Sequence, residues 1–150
     1  MLPIQRVHNF GTYFVTANCA SKRSVFQVER AAALFFEVLQ HNRQHFRLHA
    51  FVIMPDHFHL LLTPGGVALE RCLQLIKGGF SRRYHLELGG LRDVWQKGFA
   101  DHRVRDREDY DKHLRYIEQN PVAAGLVSSA ELYPWSSASR VLREKKSLSG

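Results

Sequence analysis

Residues 46–63, FRLHAFVIMPDHFHLLLT, contain two apolar, β-prone runs, 46–54 and 57–63, with only Pro55 and Asp56 between them. Two residues cannot carry a crossover, so the runs must turn back on each other as neighbouring antiparallel strands. Side chains alternate along a strand. Phe58, Leu60 and Leu62 therefore make one apolar side of the second run, and His57, His59 and Leu61 leave from the other. Two imidazoles at i and i+2 share a face, which suits them to hold one metal ion between them.

Reading outward, GTYFVTA (11–17) alternates as a first strand, with Tyr13 and Val15 on one side and Phe14 and Thr16 on the other. The stretch 25–44 spaces Ala31, Leu34, Phe35 and Val38 as one face of a helix, and 67–88 does the same with Leu69, Leu73, Ile76 and Phe80 across the weak point Gly78-Gly79. Residues 94–105 read as a fourth strand. Asp106 can cap a third helix over 107–119, with Glu108, Asp109 and Asp111 in the early turns that the helix dipole favours, and Pro121 ends or kinks it. The order β-α-β-β-α-β-α predicts an α+β, ferredoxin-like split βαβ sandwich. Its antiparallel sheet should carry helices on one face, leave the second face open, and be followed by a C-terminal helix bearing a tyrosine. The two histidines fall on the open face.

A chain of 150 residues suffices for one core, so residues 1–150 are expected to form a single domain. Apolar residues at 45% and charged ones at 23% exclude a disordered or fibrous chain. No apolar run approaches the roughly 18 residues of a membrane span, and the start of the chain lacks a cleavable leader pattern, so a cytoplasmic protein is expected. Cys19 and Cys72 lie far apart without a CxxC spacing and read as buried thiols. A surplus of 21 Lys+Arg over 14 Asp+Glu, net +7, points to a polyanion, with nucleic acid first.

On the third helix Tyr116 and Asn120 stand four residues apart, so a phenol and an amide oxygen project from nearly one face. Tyr110 lies about 80° from Asn120 around the helix and Tyr116 only about 40°, so Tyr116 is the tyrosine that can work beside that amide. Neither an HxH pair nor a helical tyrosine decides a function alone.

Several segments carry a family resemblance together. MPDHFHLLL (54–62) resembles the HUH signature, and YIEQNPVAAGLV (116–127) resembles the tyrosine helix of the REP-associated tyrosine transposases. GTYFVT (11–16), WQKGFADHRVR (95–105) and YPWSS (133–137) are similar to further segments of that family, in the same order, so the likeness runs over about 11–137. It implies a single-tyrosine HUH transposase that cleaves and rejoins single-stranded DNA at hairpin or palindromic repeats. Tyr116 would be the nucleophile forming a 5′-phosphotyrosine, and His57, His59 and Asn120 would be ligands of Mg²⁺ or Mn²⁺. A homodimer is compatible with it. The chain departs from the stand-alone insertion-sequence relatives at Asn120, where they usually carry Gln.

Lys77, Arg82 and Arg83 on the second helix and Arg103 and Arg105 after the fourth strand are expected phosphate contacts, with the tail REKK (143–146) as an auxiliary. Tyr13, Phe80 and Tyr84 are expected to stack unpaired bases. The absence of a Walker loop and of a two-metal acidic cluster disfavours ATP-driven or hydrolytic chemistry. A non-catalytic RNA-reading module of this topology would leave the HxH idle and lacks an RNP-type sequence, and a two-histidine phosphoesterase would need paired H-x-[ST] motifs, absent here.

Overall fold

A computed structural model describes residues 11–90 and 93–149. Strand β1 (Tyr13–Asn18) leads into helix α1 (Glu29–His41), then β2 (Phe46–Met54), β3 (His57–Pro64), α2 (Leu69–Leu88), β4 (Ala100–Arg103), α3 (Arg107–Ala123) and α4 (Arg140–Ser149), with short 3₁₀ turns between some of them. The four strands form one antiparallel sheet in the order β2-β3-β1-β4. This is the ferredoxin-like arrangement. β3, as an inner strand, pairs on both edges, so His57 faces Asn18 and Met54 across the sheet, and His59 faces Thr16 and Val52.

The first side of the sheet is built as its alternation requires. Tyr13, Val15, Ala17, Phe51, Ile53, Phe58, Leu60 and Leu62 pack against Leu34, Phe35, Val38 and Leu39 of α1 and Leu69, Leu73, Ile76 and Phe80 of α2. Gly78-Gly79 does not break α2. A Cβ on Gly79 would come within 3.2 Å of Val38 Cγ1, so the missing side chain lets the two helices approach. Helix α1 is shorter than its periodicity suggested, because 25–27 and 43–45 are 3₁₀ turns. Buried Asn42 donates its side-chain amide to the Val38 carbonyl at 2.9 Å, satisfying an acceptor in the last turn. Cys19 and Cys72 are buried free thiols.

Three expectations need correction. The second face is not open: α3 lies on it, and Ile117 is buried with Ala50, Val52, Met54 and Leu61 while Tyr110 and Leu114 pack alongside. The fourth strand is short, because Trp95 keeps a single antiparallel bridge to Cys19 while its side chain turns inward. Its ring lies 5.4–5.9 Å from those of Phe26, Phe35, Phe58 and Phe80, and its Nε1–H donates to the Lys77 carbonyl at 2.9 Å. Gly98, at φ +80°, then redirects the chain, and the regular ladder with β1 is confined to 100–103. Finally, α3 runs through Pro121 to Ala123. A proline in the final turn removes one hydrogen bond, and its buried ring extends the apolar stripe of the helix.

The YPWSS segment continues the sheet past β2. Ile53 donates its backbone N–H to the Trp135 carbonyl at 2.8 Å, Val52 and Ser136 form an antiparallel bridge, and the Tyr133 hydroxyl donates to the Ile53 carbonyl at 2.7 Å. The edge strand is thereby covered. Among the described residues no helix is long and apolar enough to cross a membrane.

Candidate active site

His57 and His59 leave the same face of β3, with ring centroids 4.8 Å apart. Each ring has its Nδ1 engaged. Nδ1 of His57 lies 2.6 Å from Asp56 Oδ1, so the ring donates there and Nε2 is the nitrogen left to serve as a ligand. Nδ1 of His59 lies 2.8 Å from Thr16 Oγ1 on the neighbouring strand. His59 is buried, and its Nε2 has no hydrogen-bond partner. Burial, with His57 alongside, pushes its pKa down to about 3, so at neutral pH the ring is uncharged. A neutral imidazole whose Nδ1 is fixed by an oxygen and whose Nε2 is buried and unpaired fits a divalent cation, since leaving such an atom unpaired is costly.

Helix α3 brings the phenol to this spot. Asp106 caps it, accepting the Asp109 N–H at 2.8 Å. The stripe Tyr110, Leu114, Ile117 and Pro121 faces the sheet, and full burial of Ile117 contributes about 1.5–3 kcal/mol to holding it there. Beside that stripe runs a second one, Asp109, His113, Tyr116 and Asn120, spread over about 60° of the helix. Tyr116 is half-exposed, and its ring lies 5.3 Å from that of His59 and 5.7 Å from that of Phe14. Phe14 stacks on His59 at 5.2 Å and touches His113 at 4.8 Å. Asn120 is half-buried one turn beyond Tyr116.

His102, Asp109 and His113 form the one three-residue group, among the described residues, whose potential ligand atoms all lie within 4.8 Å of one another. Its atoms have partners already. His102 Nε2–H donates to Asp109 Oδ2 at 2.8 Å, the Arg105 backbone N–H donates to the same oxygen at 3.0 Å, and His113 Nδ1–H donates to the Asp109 carbonyl at 2.9 Å. The group clamps α3 to β4, and the two imidazoles stack at 4.6 Å. The His102 N–H, then the Arg105 N–H, hold the Asp109 carboxyl down at about 2. A depressed carboxyl stabilises the fold above its unfolded value of about 4 and loses that contribution as pH falls toward 2. Asp109→Ala should therefore lower Tm at pH 7, with the gap to wild type narrowing between pH 4 and pH 2 in thermal melts. A gap that is constant over that range would contradict the clamp.

The nominated basic residues are divided between layers. Lys77, Arg82 and Arg83 belong to α2, across the sheet from the histidines. Lys77 donates to the Gly98 carbonyl at 2.7 Å and lies over Trp95, while Arg83 bridges Glu37 and Glu87; Arg82 is exposed. Arg103 and Arg105 are exposed at the β4–α3 junction, on the chain that leads into the tyrosine helix. The side chains of Lys145 and Lys146 lie outside the described residues, and Arg143 reaches Glu118 at 3.5 Å. Tyr13 and Phe80 are buried in the first core and Tyr84 stacks on Phe80 at 5.1 Å. The buried rings of Tyr13 and Phe80 are thus not available to stack bases, which corrects that expectation. Asp56, Thr16 and Phe14 were not singled out from sequence. Asp56 adjoins the motif, but Thr16 and Phe14 reach it only through the β1–β3 register.

Comparison with known proteins places the chain in a family. The family model described as "Transposase IS200 like" matches residues 11–120. The REP-associated tyrosine transposase of Escherichia coli K12 is 30% identical over 133 residues, covering 87% of this chain and 78% of its own. A solved REP-associated tyrosine transposase bound to a REP hairpin superposes with TM-score 0.74 at 28% identity, over 86% of this chain and 77% of that one. A solved chain from Deinococcus radiodurans R1, 20% identical with TM-score 0.53, covers 72% of this chain and 88% of its own and shares the fold. With the matched span taking in the histidine strand and the tyrosine helix as far as Asn120, the chain belongs to the IS200-like transposase family, on its REP-associated tyrosine transposase side.

Proposed function

We propose that this protein is a metal-dependent transposase and single-stranded DNA endonuclease that cuts and rejoins DNA at hairpin repeats through a covalent link to Tyr116. The observation that carries the reading is the approach of the Tyr116 ring, 5.3 Å away, to His59, whose buried Nε2 has no partner. His57 and His59, with Asn120 as a third ligand, would hold Mg²⁺ or Mn²⁺. Such an ion supplies neutralisation of the charge that grows on the non-bridging phosphate oxygens and alignment of the phosphate for in-line attack.

The chain's own groups do the rest. The half-exposed phenol of Tyr116 is anchored by its neighbour Ile117 and steered by the edge of Phe14, so it meets a phosphate from one direction. Its oxygen forms a bond to phosphorus as the bond to the 3′-oxygen breaks. The phenolic proton goes to water and the departing 3′-oxygen gains one. A 3′-hydroxyl later attacks the 5′-phosphotyrosine and frees the phenol, so one phosphoester is exchanged for another and no ATP is needed. Arg103 and Arg105, and Arg82 on the far layer, supply phosphate contacts, with Lys77 and Arg83 more engaged within the fold. A hairpin partner is favoured because the REP-associated tyrosine transposase of solved structure is bound to one.

Thr16→Val tests the geometry without touching a ligand. It removes the oxygen that fixes His59 Nδ1 and should weaken Mn²⁺ binding, and Mn²⁺-dependent cleavage at limiting ion, by about 10–100-fold. Unchanged Mn²⁺ dependence would mean that His59 does not hold the ion.

A further inference from the structure

A pocket of about 490 Å³ opens on the α3 side of the sheet, between the first half of β2 and the β4–α3 junction. It is lined by Thr12, Arg47, His49, Tyr110 and the 104–107 segment. Its size is that of a small-ligand site. A break in register between Leu48 and Ala50 makes His49 the extra residue of a β-bulge, a device that re-aims side chains beside functional sites.

The pocket wall is a hydrogen-bonded relay. Thr12 Oγ1 lies 2.6 Å from Thr63 Oγ1, which lies 2.8 Å from His49 Nε2, and His49 Nδ1 lies 3.1 Å from the Tyr110 hydroxyl. Burial, and Arg47 next to it, lower the His49 pKa, so the ring is neutral and carries one N–H. One N–H gives the relay a single direction at any moment. It ends in a spare donor at one of Thr12 and Tyr110 and a spare acceptor at the other. Both directions are open to it, so Thr12 and Tyr110 can each act as donor or acceptor toward a ligand in the pocket. Around the relay stand three exposed guanidinium groups: Arg47; Arg105, 3.7 Å from Asp109; and Arg107, which pairs with Asp111 and lies 5.9 Å from the Tyr110 ring centre. The one carboxylate in the lining, Asp106, is committed to capping the Asp109 N–H.

Cations at the rim, hydroxyls inside that can donate or accept, and an aromatic ring are the chemistry of a nucleotide, phosphate outward and base inward. Tyr110 and Tyr116 are six residues apart on one helix, about 9 Å along its axis. We propose that this pocket captures one unpaired nucleotide of the DNA strand that is processed at Tyr116, and so sets which phosphate reaches the phenol. This rests on the reading of the protein as a single-strand DNA transposase.

The test is an abasic scan. Hairpins with unpaired flanks, each lacking one flank base in turn, are titrated by fluorescence anisotropy against the Tyr116→Phe protein, alone and combined with Arg47→Ala or Tyr110→Phe. Both added changes leave the apolar core intact. One flank position is expected at which losing the base weakens binding about tenfold, and at which that penalty shrinks to near unity with either pocket change. Equal penalties with and without the pocket changes, at every position, would overturn the assignment. So would binding of 2′-deoxynucleoside monophosphates that Arg47→Ala abolishes while the scan shows no coupling, since the pocket would then serve free nucleotides. Should wild type form a covalent DNA adduct while the scan shows no coupling, the pocket assignment alone fails. Should it form no adduct, the transposase reading fails first.

Discussion

His59→Ala is expected to cut single-stranded DNA cleavage by roughly a thousandfold or more, the several kcal/mol of charge stabilisation that a bound ion gives a phosphoryl transition state. The change should leave the fold in place. Phe58, Leu60 and Leu62 make the core side of β3 and are untouched, and the group removed is one whose Nε2 was buried without a partner. Far-ultraviolet circular dichroism should thus stay near that of wild type, with only a modest fall in Tm for the lost Thr16 bond and Phe14 stacking, while the response to added Mg²⁺ or Mn²⁺ disappears. Cleavage by the variant at the wild-type rate, or a wild-type rate in a chelator, would contradict the metal role of this strand.

Tyr116→Phe is expected to eliminate the covalent protein–DNA species altogether, because it deletes the attacking oxygen and nothing else. The ring still meets Phe14 and His59, Ile117 still anchors the helix, and the histidine pair is unaltered, so metal binding and most DNA affinity should persist. Tyr110→Phe should still form the adduct, though at higher DNA concentration, since Tyr110 bonds His49 at the pocket instead of facing the histidine pair. An adduct retained by Tyr116→Phe would remove the proposed nucleophile.

The hairpin that organises the sheet was legible because two residues between apolar runs permit one connection, and the period of two then assigns every side chain of β3 to a face. The helices on the first face followed from their apolar spacing. The position of α3 did not. Its stripe of Tyr110, Leu114, Ile117 and Pro121 says that one side is buried, but not against what, and the sheet's second face offered Ala50, Val52, Met54 and Leu61 only once β2 and β3 were paired. Likewise the strand read over 94–105 is interrupted: Trp95 keeps one bridge to Cys19 while its side chain is drawn among Phe26, Phe35, Phe58 and Phe80, and the ladder resumes only at Ala100.

At the site, the shared face of His57 and His59 and the pairing of Tyr116 with Asn120 are local consequences of strand and helix geometry. What orients them is not local. Thr16 reaches His59 through a register between residues 43 positions apart, and Phe14 touches His59, His113 and Tyr116 from the same strand. The stacking role read into Tyr13 and Phe80 failed because an aromatic on the apolar face of a strand or helix is drawn into the core first.

The most direct measurement is the mass of the tryptic peptides from wild-type protein incubated with a single-stranded hairpin and Mn²⁺. Cleavage after Arg115 and after Arg107 separates Tyr116 from Tyr110. The mechanism predicts a nucleotide attached through a 5′-phosphate to the peptide that begins at Tyr116, with fragmentation placing it on that first residue. The added mass on the peptide holding Tyr110, or no covalent nucleotide while the DNA is cut, would contradict it.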